Sequence, residues 1–428
     1  MNALLSLAIC AWMAGGRAAA CRTRLNVAGI FDAGDILITN GGSEALQVAM
    51  NCILDDGDEI LIPEPFYPNY NTMAYTCGAK IHPIPTSPHD GYHYADRAKV
   101  EAEINEHTRA IMVTNPGNPT GAVLSEARRE RLAELAREAG LPRGVFQVLP
   151  GFGHTVGKAL ALSMGVDCLA FTGSTGVGKQ LMQYAGQSNL KRVYLECGGK
   201  SPNIVFADCK DLDRVAKHAA AAIFHNQGEV CIAGSRLLVE NAIREAFIDR
   251  VVAAAERMQP GDPLDPESFM GAIVDEAQYR RILGYIEKGR EEGARLRAGG
   301  EATQVEGRGL FIPPTVFDGV TPEMAIGREE IFGPVLSVFG FDTEEEAVAM
   351  ANDSVYGLAA GLWSQDIDRI MRVTRRLHSG QVFVNNWAGG DQTMPFGGVK
   401  QSGNGRDKSH HSLEEYSTLK SVWMSLAN

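Results

Sequence analysis

Short apolar runs alternate with amphipathic stretches from about residue 36 to residue 425. DILITN at 35–40, EILIP at 59–63, AIMVT at 110–114, DCLAFT at 167–172 and RVYLE at 192–196 have strand length and polar or turn-forming flanks. Between them lie helical patterns. Glu126–Gly140 places Leu132, Leu135, Ala136 and Ala139 on one face and ends at Gly140 with Pro142 behind it. Tyr279, Ile282, Leu283 and Ile286 repeat that spacing in a second helix. Strands alternating with helices predict an α/β chain, and no repeat or long linker interrupts it.

Composition narrows the classes. The chain has 428 residues, room for two or three domains. Its formal charge of −12 supplies no basic field, so nucleic acid is excluded as a partner. Eight cysteines are scattered without a C-x-x-C, which excludes zinc-ribbon and thioredoxin readings and points to reduced thiols in the cytoplasm. The apolar run Ala3–Ala14 is too short to span a bilayer and lacks a charged start, so residues 1–30 read as an unstructured leader and no membrane is expected.

The motifs fall into two groups. Up to about residue 125, the strand DILITN leads into GGSEA, where Ser43 and backbone N–H groups at a helix start form a phosphate cradle. EILIPEPFYPNY carries Tyr67 after a strand, and NPGNPTG carries Asn118 after the next. Over roughly 31–125 this resembles class I pyridoxal-phosphate aminotransferases. That resemblance implies Ser43 on the cofactor phosphate, Tyr67 stacked on the pyridine ring and Asn118 on its phenolic oxygen. The same chemistry requires a Schiff-base Lys and a carboxylate on the ring nitrogen. The family pattern stops before either, so no bound pyridoxal phosphate is expected.

Beyond about residue 132 the chemistry changes. The strand DCLAFT runs into Gly173-Ser174-Thr175-Gly176-Val177-Gly178 and a helix, the arrangement by which backbone N–H groups meet a pyrophosphate. Gly173–Lys179 also fits G-x-x-x-x-G-K, but Gln180 offers no hydroxyl to Mg²⁺, which argues against an NTPase. Glu196 ends a strand before two glycines, and Cys231 follows the turn NQGEV. A thiol, a carboxylate and a dinucleotide turn suggest a nucleophile, a base for water and a hydride acceptor.

FTGSTGVG, LECGGKSPNIVF, NQGEVCIAGSR, EEIFGPV and PFGGVKQSGNGRD stand in the order found in aldehyde dehydrogenases, and residues 132–425 resemble that family. NLKRVYLECGGKSPNIVFADC and GRDKS are most similar to its gamma-glutamyl-gamma-aminobutyraldehyde subgroup. The resemblance implies Cys231 as nucleophile and Glu196 as the base that activates water. It places Gly173, Ser174 and Gly178 on the pyrophosphate of NAD or NADP, Glu330 and Phe332 at the nicotinamide ribose, and no metal. Asp407 matches a supporting acidic position. A small-molecule aldehyde, of amino or gamma-glutamylamino type, is the implied substrate. A strand at about Leu419–Ser425 would pair between subunits.

The expected fold is therefore α/β: an N-terminally incomplete Rossmann-type cofactor domain plus an α/β catalytic domain, preceded by a fragment of the aminotransferase large domain. The boundaries read as leader 1–30, aminotransferase-like fragment 31–128, partial dinucleotide domain 129–197, catalytic domain 198–405 and C-terminal segment 406–428. The family's Trp-Asn oxyanion segment, Lys-Pro strand and interface hairpin have no counterpart, so a homo-oligomer would lack that hairpin and NAD versus NADP stays open. A non-catalytic fusion and a pyridoxal-phosphate aminotransferase remain the alternatives. At the junction, Ile111–Val113 are expected to fill the vacant place beside the strand at 167–172.

Overall fold

The computed structural model describes Met50 and residues 54–67, 69–87, 89, 92, 97–112 and 152–424, other than 263, 264, 266, 388 and 390–392. Its contacts define two units, residues 161–406 and residues 1–160 with 407–428. The expected strand at 35–40, the helix at 126–140, Ser43 and Asn118 lie outside the described residues.

In the first unit, β1 (Glu59–Pro63), β2 (Lys80–Ile84) and β3 (Thr108–Ile111) form a parallel sheet in the order β2-β1-β3. The central strand buries Ile60, Leu61 and Ile62 in succession, as a parallel strand covered on both faces must. Helix α1 (Asn69–Thr76) packs Tyr70, Met73 and Ala74 into the same cluster as Ile60, Ile62 and Ala110. Helix α2 (Arg97–Glu103) precedes β3. One expectation is corrected here. Ile111 pairs with Leu61 of β1, and Met112 donates to the Leu61 carbonyl, so this run is hydrogen-bonded in a different sheet from the strand at 167–172. The alternation in β3 explains the choice: Thr108 and Ala110 are buried and Arg109 and Ile111 exposed, a match to the local core that β1 already offers. Val113 is outside the described residues.

The second unit opens with β4 (Cys168–Thr172) and β5 (Arg192–Glu196), parallel from Cys168–Arg192 to Thr172–Glu196 and joined by helix α3 (Thr175–Gln187). Ser174 caps that helix by accepting from the Val177 N–H, and Leu181 and Ala185 pack with Val193 and Leu195. A seven-stranded sheet follows, built from β6 (Pro202–Val205), β7 (Arg236–Glu240), β8 (Arg295–Ala298), β11 (Thr315–Asp318), β12 (Val335–Phe341), β13 (Ala359–Trp363) and β14 (Gln381–Val384). The small hairpin β9 (Thr303–Val305) and β10 (Arg308–Phe311) stands apart from it. The order is β14-β13-β6-β7-β12-β11-β8, parallel except for β8.

Successive side chains of these strands serve opposite cores. Val205, Leu237, Val239 and Val338 join helices α4 (Leu212–Phe224) and α5 (Arg244–Ala255) on one face. Ile204, Leu238, Phe339 and Leu362 join α6 (Glu276–Glu291), α7 (Glu344–Asn352) and α8 (Ile367–Arg376) on the other. Buried Arg236 ties the layers together. Its guanidinium donates to the carbonyls of Met350 and Ala351 at the end of α7, at 2.9 and 2.8 Å, and to Lys200 at 2.8 Å. A cation at a helix C-terminus satisfies carbonyls the helix leaves without donors. Among the described residues no helix is long and apolar enough to cross a membrane, and no acidic, His or Cys group is arranged for a metal. Residues 419–424 form no strand in this single chain, and Trp423 is 94% exposed; a strand there needs an edge from elsewhere.

Candidate active site

The second unit gathers its chemistry where the carboxyl end of β5 meets the amino ends of β6, β7 and β12. Glu196 is the last residue of β5 and is buried. The segment 402–405 holds that strand end along its free edge. Cys197 N–H donates to the Ser402 carbonyl at 2.8 Å, and Gly405 N–H to the Leu195 carbonyl at 2.9 Å. The Asn404 side chain accepts from Leu195 N–H at 3.1 Å and donates to the Val193 carbonyl at 3.0 Å. Only glycine fits at 403, where φ is +111° and a Cβ would lie 2.0 Å from the Leu195 carbonyl. A Cβ at Gly397 would come within 2.8 Å of the Glu196 carboxylate, so the PFGG turn walls that side chain.

Gly198 and Gly199 form the turn on which the site closes. Gly199 N–H donates to Glu330 Oε1 at 2.9 Å, and a Cβ at Gly198 would sit 2.1 Å from that carboxylate. A Cβ at Gly199 would lie 2.4 Å from the Cys231 carbonyl oxygen. Absent side chains thus let Glu330 and the Cys231 backbone close on one turn. Helix α6 fixes the loop bearing Glu330: Arg281 donates to the Glu330 carbonyl at 2.8 Å, and Gln278 to the Ile331 and Phe332 carbonyls at 2.9 and 2.7 Å. Phe332 itself sits at φ +58°, a conformation held by those contacts.

The electrostatics follow from burial. The Cys231 thiol is pushed up to about 11 by burial, then by the nearby Glu196 and Glu330 carboxylates, while backbone N–H groups of Cys231 and Ile232 oppose the rise. Burial also raises Glu330, against the Gly199 N–H, Arg281 and Lys200. Cys197 is raised by burial and by the same two carboxylates. Lys200, fully buried behind the turn, is lowered to about 7 by burial and by Arg236. In the other unit, burial raises Asp407.

The start of α3 suits a dinucleotide phosphate. Gly173 and Ser174 are exposed, the first turn of the helix carries no acidic residue, and the space a Cβ would take at Gly176 is open. Thr175 and Lys179 bond the backbone and side chain of Gln401, anchoring this start to the segment that holds β5. Gly178 is buried, and a Cβ there would lie 2.9 Å from the Cys197 sulfur, so its lack of a side chain lets helix and strand pack closely.

Of the anticipated residues, Glu196, Cys231, Glu330 and Phe332 are brought to one locality with the loop and turn contacts above. Tyr67, in the other unit, is 37% exposed and edge-on to Tyr70 at 5.6 Å. Gln278, Arg281 and the residues around Glu229 were not singled out from the sequence. Their roles arise from contacts to backbone carbonyls and N–H groups, which leave no motif.

Parallel strands, an exposed glycine-rich helix start and a thiol near two carboxylates define an α/β chain of a thiol-bearing class. The aldehyde dehydrogenase family profile matches residues 119–422, and the chain belongs to that family. A class I and II aminotransferase profile matches residues 25–142. The NADP/NAD-dependent aldehyde dehydrogenase PuuC of Escherichia coli is 53% identical over 296 residues, 69% of this chain and 59% of that protein. The chain thus spans about three-fifths of that curated relative's length. An indole-3-acetaldehyde dehydrogenase in complex with NAD+ superposes with a TM-score of 0.68 at 47% identity, covering 87% of this chain and 68% of the other. Gamma-glutamyl-gamma-aminobutyraldehyde dehydrogenase of Burkholderia cenocepacia gives 0.65 at 49% identity, covering 84% and 66%.

Proposed function

We propose that this chain oxidises an aldehyde to its carboxylic acid with NAD or NADP, through a thioester on Cys231. The observation that carries the reading is the Gly198-Gly199 turn, directly after Glu196 and Cys197, against which the Glu330 carboxylate and the Cys231 backbone both close. The residues fit the cofactor: Gly173, Ser174 and the start of α3 would hold its pyrophosphate, and Glu330 and Phe332 its nicotinamide ribose. When bound, the dinucleotide supplies the hydride acceptor and a positive ring that offsets the two carboxylates.

In this reading the Cys231 thiol gives up its proton to an admitted water, which carries it to solvent, and its sulfur attacks the aldehyde carbon. A C–S bond forms and the carbonyl pair moves onto oxygen, beside the Cys231 N–H. Loss of the aldehyde hydrogen as hydride leaves a thioester. Glu196 then takes a proton from water as that water attacks, and the C–S bond breaks to release the acid and the thiolate. The PFGG turn keeps the Glu196 carboxylate enclosed, so it exchanges protons with an admitted water and not with bulk solvent.

Amino-aldehydes or gamma-glutamylamino-aldehydes are the proposed substrates, supported by the name of the Burkholderia cenocepacia relative at 49% identity. A homo-oligomer in the cytoplasm completes the reading. We assign no pyridoxal-phosphate chemistry to the first unit, because the aminotransferase-like sequence ends before a Schiff-base Lys. The test is reduced-dinucleotide formation from gamma-aminobutyraldehyde with NAD+ or NADP+. Activity is expected in the native chain and abolished in Cys231→Ala at unchanged melting temperature. Turnover surviving in C231A would reject the reading.

A further inference from the structure

We propose that Glu229 is a positioning residue for Cys231, latching the nucleophile's turn to the loop at 271–274 through a hydrogen bond from the Val274 N–H. The inference rests on the reading of Cys231 as nucleophile and names a residue that reading does not use.

The turn before Cys231 is closed by its own bonds, Asn226 Nδ2–H donating to the Glu229 carbonyl at 3.1 Å, and is also tied from outside. Asn226, Gln227 and Gly228 run consecutively at φ of +50°, +55° and +71°, which for two non-glycine residues is strained backbone. Side chains keep it there. Gln227 accepts from Gly271 N–H at 3.0 Å and donates to the Ala272 carbonyl at 3.2 Å. Glu229 Oε1 accepts from Val274 N–H at 3.3 Å, and its own N–H donates to the Asn226 carbonyl at 2.9 Å. The loop that receives these bonds is fixed in turn. Ile273 is buried and donates to the Leu310 carbonyl at 2.8 Å, and Gly261 donates to Met270 at 3.0 Å. Opposite the latch, Gly228 lies so close to the Gly333 carbonyl that a Cβ would come to 2.3 Å. The turn is therefore held between two pieces of backbone, and Glu229 is its last latch before the nucleophile, two residues away.

Glu229 is also the ionisable member of the latch. Burial raises its carboxyl to about 7, opposed by the Val274 N–H and the Gln227 amide, with Asp275 on the facing loop adding to the rise. Asp275 caps α6 by accepting from Gln278 N–H. The Val274 N–H and the Gln227 amide bind the ionised carboxylate more strongly while burial favours the neutral acid, so the latch changes strength as Glu229 titrates near neutral pH.

Two substitutions in the full chain test this, read by turnover and by iodoacetamide alkylation of Cys231 followed by peptide mass. Glu229→Ala is expected to lower kcat about tenfold with little change in KM for the dinucleotide, and to change Cys231 alkylation by about threefold or more, as a turn displaced by a fraction of an ångström would. Glu229→Gln keeps a neutral acceptor, so turnover at pH 6 and alkylation stay within about twofold of native, and an inflection near neutral pH in the native alkylation profile disappears. Overturning results are E229A within about twofold of native in both readouts, E229Q falling with E229A, or the inflection persisting in E229Q. Alkylation needs no turnover, so it decides on Glu229 even if the native chain oxidises no aldehyde, and E229Q decides even if E229A does not fold.

Discussion

Replacing Gly199 by alanine places a methyl 2.4 Å from the Cys231 carbonyl oxygen. Contacts of that kind are not tolerated below about 3 Å, so the Cys231 backbone must retreat by at least about 0.6 Å. The atom that has to move is main chain, with no flexible side chain to absorb the clash. On the same turn, Gly199 N–H holds Glu330 at 2.9 Å, so a shift of the turn also disturbs the carboxylate assigned to the cofactor. A displacement approaching 1 Å at a reacting centre costs on the order of 10²-fold in rate. Gly199→Ala should therefore reduce kcat by roughly two orders of magnitude. Steady-state aldehyde oxidation together with thermal melting is the assay, since the clash is confined to the site and the two cores are untouched. G199A retaining kcat within about threefold at an unchanged melting temperature would refute the claim that this turn sets the thiol's position.

Arg236→Met leaves the last carbonyls of α7 and the Lys200 carbonyl without their donor, and should cost about 3 kcal/mol by chemical denaturation; a loss under about 1 kcal/mol would mean water replaces the guanidinium. His82 is raised by its hydrogen bond to Glu103, then by Glu59, against some desolvation. Its stabilisation is thus fully present below its unfolded value near 6.5 and is lost as pH rises through the folded value. His82→Gln should flatten that decline in a pH series of melting curves, and an identical decline would remove His82 as its cause. With its thiol at about 11 in the ligand-free chain, Cys231 should alkylate ever faster up to that pH, with a thiolate fraction near pH 7 of about 10⁻⁴. A plateau by pH 8 would contradict the burial and the paired carboxylates.

Much of the local structure was legible because it is written in adjacent residues. EILIP, CLAFT and RVYLE read as strands and became β1, β4 and β5, and Ile282 and Ile286 lie on the buried face of α6. The order of the large sheet was not legible. Its central strands are apolar on both faces, so Ile204 beside Leu238 and Leu362 carries no sign of which neighbour it takes. The junction failed for the same reason: Ala110 and Ile111 are apolar enough for either sheet, and nearby β1 took them. Within the site, residue types announced Glu196, Cys231 and Glu330, while the contacts that gather them did not show. Glycine is ambiguous in sequence, since an open cradle at Gly176 and a packing contact at Gly178 look alike until the neighbouring sulfur is seen. The left-handed Asn226 and Gln227, and the loop that restrains them, belong to tertiary structure alone.

The central claim is that Cys231 carries the acyl group and Glu196 frees it. The most direct measurement mixes Glu196→Gln with gamma-aminobutyraldehyde and NAD+ or NADP+, follows reduced dinucleotide on the first turnover, and weighs the quenched peptide containing residue 231. The account predicts a burst approaching one reduced dinucleotide per chain, then near-arrest, with the acyl mass on Cys231. No burst and no adduct, or continued turnover without the Glu196 carboxylate, would contradict it.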